Sequence, residues 1–249
     1  MSIDLSVDNS VAILRLYNPG KLNALSSDFM NELHEKVQNI DQKANVLIVA
    51  GCEKAFSAGI DIAEVEQHSG ESACLENFID SRWECIFHVK IPVIAVVSGY
   101  ALGGGFELAL MCDIIVATET AKFGFPEINL GLMPGMGGTQ LLTRIVGAKI
   151  ASKILMTGDS LSALEAKELG IVTQVVLSGD LMPVSLELAQ RISRRSRMSL
   201  RMIKNAIRLS QNVGLNQGIN SERLMFRSLF SSADKKKKTK EFLRKRLNS

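Results

Sequence analysis

The stretch "SGYALGGGFELALMCD" (residues 98–113) sets three consecutive glycines between a strand and a helix. Ahead of it, "VIAVVSG" (93–99) is short, β-branched and uncharged, the pattern of a strand buried on both faces. Behind it, the residues from Phe106 to Cys112 are apolar except for one acid, Glu107. Glycine weakens helix and strand alike, so a run of three needs a reason. Either the turn packs too tightly for a Cβ, or bare N–H groups at a helix start face an anion, or a carbonyl oxygen becoming one.

Strands and helices alternate on both sides of this turn. "IDLSVDNSVAILRL" (3–16) reads as a β-hairpin turning at Asp8-Asn9, and "VLIVAG" (46–51) and "DIIVA" (113–117) as short buried strands. Phe29, Leu33, Val37 and Ile40 share one face of a helix predicted over 28–40, opened by Ser26, Ser27 and Asp28. Further helices are predicted around 75–88, 106–112 and 139–147. Another covers 162–170, with a capping box from Ser162 to Glu165 and a terminating Gly170, and leads into the strand "IVTQVV". From about residue 181 the strands stop and amphipathic helices such as 199–213 follow. The pattern is an α/β core with an all-helical C-terminal part.

The 249 residues, 46% hydrophobic and 22% charged, suit one large globular domain, or a core with a small appendage. The longest uncharged apolar run, between Lys90 and Glu107, is interrupted by Pro92, Ser98 and four glycines. It falls short of the ~20 continuous residues of a membrane span. "MSIDLSVDNS" shows no secretory pattern, so a cytoplasmic protein without membrane contact is expected. The four cysteines and three histidines show no metal-ligand spacing, and no metal site is expected. The net charge of +3 is concentrated in the tail, where Lys235, Lys236, Lys237, Lys238, Lys240, Arg244, Lys245 and Arg246 form a solvated face or an anion-contacting arm. Apart from Phe242 no aromatic residue interleaves with them, which counts against nucleic acid as a partner. GxGxxG, GxxxxGK[ST], HExxH and GxSxG are absent, removing the usual support for dinucleotide, nucleoside triphosphate, zinc and serine-nucleophile chemistry.

Two other glycine-bearing stretches remain: "KAFSAGIDI" (54–62) and "KFGFPEINLGLMPGMGGTQ" (122–140). The second carries Glu127 among Phe123, Phe125, Pro126, Ile128 and Leu130, where burial would raise its pKa. Glu107, in the first turn of its helix, is expected to stay charged in the helix dipole. Two carboxylates in unlike surroundings suit divided acid and base roles. A favourable helix-start charge and a solvent-facing loop acid are the plainer readings of the two.

"NPGKLNALS", "KAFSAGIDI", "GYALGGGFELALMCDIIVAT" and "FGFPEINLGLMPGMGGTQLLTRIVG" together resemble the crotonase superfamily, and within it the enoyl-CoA hydratases, over nearly the whole chain. The resemblance implies an α/β spiral of repeated β-β-α units over 1–195, and a helical part over 196–249 that mediates trimerisation and completes the site. The expected assembly is a homotrimer or a homohexamer built as a dimer of trimers. It implies an acyl-CoA substrate and no separate cofactor, coenzyme A being part of the substrate. By motif position the oxyanion donors fall on the N–H groups of Ala58 and Gly104, and the catalytic carboxylates on Glu107 and Glu127. Lys21, Leu22, Ala24, Ala58, Gly59, Ile60, Asp61 and Gly104 would line the CoA site, with Phe242 and Lys245 reaching it from the tail. Hydration of a 2-enoyl-CoA to a 3-hydroxyacyl-CoA is the expected reaction. Δ3–Δ2 enoyl-CoA isomerisation, or another acyl-CoA chemistry of the superfamily, is the alternative.

Overall fold

The computed structural model describes residues 2–247, the side chains of Lys245 and Leu247 excepted. β1 (Ser2–Asp8) and β2 (Val11–Tyr17) form the expected antiparallel hairpin, turning through Asn9 and Ser10, both at positive φ. α1 (Ser27–Val37) is N-capped by Ser26, whose hydroxyl accepts the Phe29 amide. It stops short of residue 40 because Asn39 turns left-handed, φ 58°, and only the single turn α2 (Ile40–Lys43) follows.

From there the chain makes three turns of a spiral, each laying one strand in each of two sheets before a helical segment. The first turn is β3 (Val46–Ala50), β4 (Ala55–Ser57), α3 (Ile62–Gln67) and α4 (Gly70–Leu75). The second is β5 (Val93–Val97), β6 (Tyr100–Leu102) and α5 (Gly104–Leu110). The third is β7 (Ile114–Thr118), β8 (Lys122–Gly124) and α6 (Gly138–Val146), with a 3-10 turn at Pro126–Leu130. The spiral closes with α7 (Ala148–Thr157), β9 (Leu161–Ser162), α8 (Ala163–Glu168) and β10 (Gln174–Val176). Four helices follow: α9 (Leu181–Ser193), α10 (Arg197–Ser210), α11 (Leu215–Ser228) and α12 (Ala233–Leu247).

The larger sheet runs β1-β2-β3-β5-β7-β10 and is parallel from β2 onward; the smaller runs β4-β6-β8-β9. Strands β3 and β5 are wholly apolar because both of their faces are covered. Leu47, Val49, Val93 and Ala95 join Phe29, Leu33 and Phe106 on one side. Val46, Ile48, Ile94 and Val96 meet Leu181 and Ala189 of α9 on the other. Each such aliphatic side chain contributes roughly 1.5–3 kcal/mol of burial.

The single helix predicted over 75–88 does not form. The chain turns left-handed at Asn77 and again at Ile79, then makes a 3-10 turn over Ser81–Glu84 capped by Asp80. Apolar residues there pack one by one against the core, and the helical period in the sequence is coincidental. The capping box at Ser162 and Glu165 forms with both of its reciprocal bonds.

α10 is fixed to the spiral by a buried cation. Lys204 Nζ lies 2.6 Å from Asp113 Oδ2 and donates to the Ile91 carbonyl at 2.7 Å. The Arg208 guanidinium donates to the Phe87 carbonyl and sits over the Phe87 ring, 4.4 Å from its centroid. Asp113 also accepts the Val93 amide at 2.7 Å. Among the described residues, no helix is long and apolar enough to cross a membrane, and no three His, Cys, Asp or Glu residues gather as a metal site.

Candidate active site

The three glycine-bearing stretches converge. Gly59, at φ +100°, lies so close to the turn after β6 that a Cβ on it would sit 2.8 Å from the Leu102 carbonyl oxygen and 3.3 Å from the Gly104 nitrogen. A Cβ on Gly105 would come within 2.3 Å of the Ser57 oxygen. Two glycines of the run at 103–105 thus have distinct tasks: Gly105 permits packing, and Gly104 exposes its backbone. Gly104 is the first residue of α5, so its N–H has no partner within the helix.

A Cβ on Gly104 would meet the Ile60 side chain at 3.0 Å, the Met136 sulfur at 3.2 Å and the Ile60 nitrogen at 3.5 Å. The amides of Ile60 and Gly104 therefore face one small space. Among the described residues neither has an acceptor, whereas the flanking Gly59 carbonyl and Asp61 amide are both bonded to Leu25. The amide of Ala58 is committed elsewhere: it donates to the Leu22 carbonyl at 2.9 Å. Ala58 is not a free donor, against the expectation that placed an oxyanion contact there, whereas Ile60, two residues along, has its amide unengaged. Two residues apart in an extended segment the amides would share a side; Gly59, at φ +100° between them, breaks that alternation, and the motif alone did not show which amide faced the site.

Glu107 and Glu127 are brought to this space. Glu107 is fully buried on α5, and its Oε1 accepts the amides of Met136 at 2.7 Å and Gly138 at 2.6 Å, while Oε2 has no partner. Gly138 must be bare, since a Cβ there would strike the Phe125 ring at 2.7 Å. Glu127, on the 3-10 turn after Pro126, sets its carboxylate against Gly103, where a Cβ would lie 2.7 Å from Oε1. Both of its oxygens are buried and unpartnered.

The expected contrast between the two acids does not hold. Burial pushes Glu107 up to about 7 despite the two backbone bonds, and the charge of nearby Glu127 adds to the rise. Burial raises Glu127 as well. The weak helix-start field on Glu107 is outweighed by its removal from water.

The predicted CoA residues fall into two groups. Leu25 bridges Ile60, Leu22 accepts Ala58, and Lys21 Nζ meets Asp61 Oδ2 at 2.6 Å, so "GKLNA" and "AGID" lie side by side; Ala24 donates its amide to the Lys21 carbonyl within the first of them. The Lys21 bond holds the Asp61 carboxyl below its usual range. Asp61 also caps α3 through the Ala63 amide. Phe242 is exposed on α12, whose contacts run to the Arg194 carbonyl through Lys238 and to the Phe230 ring through Lys235. The side chain of Lys245 lies outside the described residues.

Asn23 escaped the sequence reading. It is fully buried at φ 55°, donates to the Ala55 and Phe56 carbonyls, and accepts the Asn18 amide at 2.6 Å. It pins the 18–25 loop to β4, and with it the segment that carries Ile60. An asparagine before Ala-Leu in a glycine-bearing loop was the available signal, because asparagine tolerates left-handed φ.

A sequence profile of the enoyl-CoA hydratase/isomerase family matches residues 6–248. The chain belongs to that family. It is 42% identical over 238 residues to a protein named probable enoyl-CoA hydratase of Mycobacterium leprae, covering 95% of this chain and 92% of that one. It is 38% identical to the 2,3-dehydroadipyl-CoA hydratase of Escherichia coli, covering 97% and 95%. Among solved structures, an enoyl-CoA hydratase subunit of Geobacillus kaustophilus superimposes with a TM-score of 0.95 at 42% identity, covering 98% and 96%. The two-sheet spiral and its helical C-terminal part are thus the crotonase fold of this family.

Proposed function

We propose that the protein is an enoyl-CoA hydratase, adding water reversibly across the 2,3-double bond of a 2-enoyl-CoA to give a 3-hydroxyacyl-CoA. The observation that carries this reading is the pairing of two unengaged amides, Ile60 and Gly104, with two buried carboxyls that have unpartnered oxygens. The thioester oxygen would sit between the amides, which stabilise the negative charge it gains when C3 is attacked. Glu107, fixed through Oε1, turns Oε2 to the water and takes one of its protons as the hydroxyl joins C3. Glu127, whose burial disfavours its charged form, gives a proton to C2. The pair starts with one proton and ends with one, and its passage from Glu107 back to Glu127 resets the site.

An isomerase needs only one acid to carry a proton between C2 and C4; the fixed second carboxylate favours hydration. Lys21 and Asp61 at the mouth suit the polar coenzyme portion of the substrate. Assembly as a trimer or a dimer of trimers accords with the exposed Ile203 and Ile207 of α10 and Leu224 and Phe226 of α11.

Mixing the protein with crotonyl-CoA should abolish the absorbance of the conjugated thioester, and Glu127→Gln should slow this by ~10²–10⁴. An unchanged absorbance with every 2-enoyl-CoA tried would overturn the reading. Conversion of a 3-enoyl-CoA alone would replace it with the isomerase.

A further inference from the structure

Charge is unevenly divided along the chain. Residues 1–187 hold 12 lysines and arginines against 23 acids, a net −11. Residues 188–249 hold 17 against 3, a net +14, so that the chain as a whole is +3. The spiral is thus acidic and the helical C-terminal part strongly basic. An asymmetry of this kind between two parts of one chain points to a polyanionic partner.

The fold turns part of this charge into a stripe. α12 meets the rest of the molecule through Lys235, whose Nζ lies 4.6 Å from the Phe230 ring centroid, and through Lys238, whose Nζ donates to the Arg194 carbonyl at 3.1 Å. With about 3.6 residues to a turn, Lys236, Lys237, Lys240 and Arg244 fall on the opposite side of the helix. All four are exposed, and among the described residues their side chains have no hydrogen bond or ion pair. The acids of the helix, Asp234 and Glu241, lie off the stripe. The Lys238 contact also brings α12 alongside the end of α9, where Arg194 and Arg195 are likewise exposed and unpaired.

We propose that the outer face of α12 docks the protein on an anionic membrane surface, its cations meeting phospholipid headgroups. Like charges set side by side with no partner on the protein are complementary to such a surface. Nucleic acid presents phosphates too, but the stripe has no aromatic side chain to stack on a base and no amide to read one. Leu243, about half exposed, follows Lys240 by three residues and offers the apolar edge that an interfacial helix lays against lipid. The charge division orients the molecule as well. At physiological salt the attraction fades within about 8 Å, so the stripe feels the surface while the acidic spiral stands beyond it. Docking of this kind needs no spanning helix and does not depend on which reaction the spiral catalyses.

The test is flotation of the full-length protein with vesicles of phosphatidylcholine alone, and of phosphatidylcholine with one third phosphatidylserine, at physiological ionic strength. Binding to the anionic vesicles, none to the neutral ones, and release in high salt are expected. Each cation close to such a surface is worth roughly fivefold in affinity, so Lys236→Gln, Lys237→Gln, Lys240→Gln and Arg244→Gln combined should weaken binding by about 10²–10³-fold. Lys236→Arg, Lys237→Arg and Lys240→Arg combined, which keep the charge, should bind like wild type. Wild-type protein that stays unbound, or a glutamine variant that binds as tightly as wild type, would overturn the proposal. Tighter binding of single-stranded RNA than of anionic vesicles at the same salt would overturn it in favour of nucleic acid. A glutamine variant whose mass by light scattering falls while its lipid binding persists would assign the stripe to contacts between copies instead.

Discussion

Replacing Glu107 by glutamine should make the protein more stable at alkaline pH while disabling it. In the folded state the carboxyl titrates near 7, against an ordinary 4.5, because it is buried. Its charged form is therefore disfavoured by folding. The stability associated with a raised carboxyl is fully present below the unfolded value, about 4.5, and is lost as pH rises through about 7. At about 1.4 kcal/mol per tenfold change, the loss amounts to roughly 3 kcal/mol above pH 8. Glutamine keeps an oxygen for the Met136 and Gly138 amides and places an uncharged NH₂ where Oε2 has no partner. Urea unfolding of wild type and Glu107→Gln, at one fixed protomer concentration, should thus diverge with pH. The variant should gain about 2.5 kcal/mol over wild type between pH 5 and pH 8.5, with turnover reduced by ~10²–10⁴. A stability difference that is the same at both pH values would refute the claim that Glu107 is held in a water-poor site. A variant losing stability as pH rises would reverse its sign.

The two remaining predictions concern the backbone donors and the C-terminal clamp. Replacing a single amide by an ester should lower kcat by ~10²–10³ when the N–H of Ile60 is removed. The same change at Ala58 should leave kcat nearly intact, since that amide serves the Leu22 carbonyl; equal losses at both positions would return the oxyanion role to Ala58. Lys204→Met should destabilise the fold by about 1–2 kcal/mol, because it leaves the Ile91 carbonyl without its donor, while Asp113, which water reaches, keeps Arg208 as its remaining cation. Thermal and urea unfolding would read this, and a neutral result would show that the Ile91 carbonyl does not depend on Lys204.

The sequence by itself determined the strands of the larger sheet and most of the helices, and singled out both acids; the two- and three-residue strands of the smaller sheet, β4, β6, β8 and β9, carry too little pattern to be read. Fully apolar five-residue runs such as Val46–Ala50 admit little but a doubly covered strand, and a capping box such as Ser162–Glu165 is a local device closed by residues three apart. Even the meaning of the glycine run was half legible: bare backbone at a helix start is a donor site whatever surrounds it. What only the tertiary structure decided were matters of direction and of distance from water. Whether Ala58 or Ile60 has its amide unengaged depends on the left-handed turn at Gly59 and on the docking of Ala58 against Leu22, a residue more than thirty positions earlier. Whether Glu107 is charged depends on the coverage of α5, which outweighs the dipole of its own first turn. The broken helix at 75–88 has the same origin in part, since Phe78 is anchored by His68, outside the segment, while Asp80 caps its own turn through Arg82. Local patterns fix elements because their energies are local; the orientation of a donor and the pKa of an acid are set by what packs against them from elsewhere in the chain.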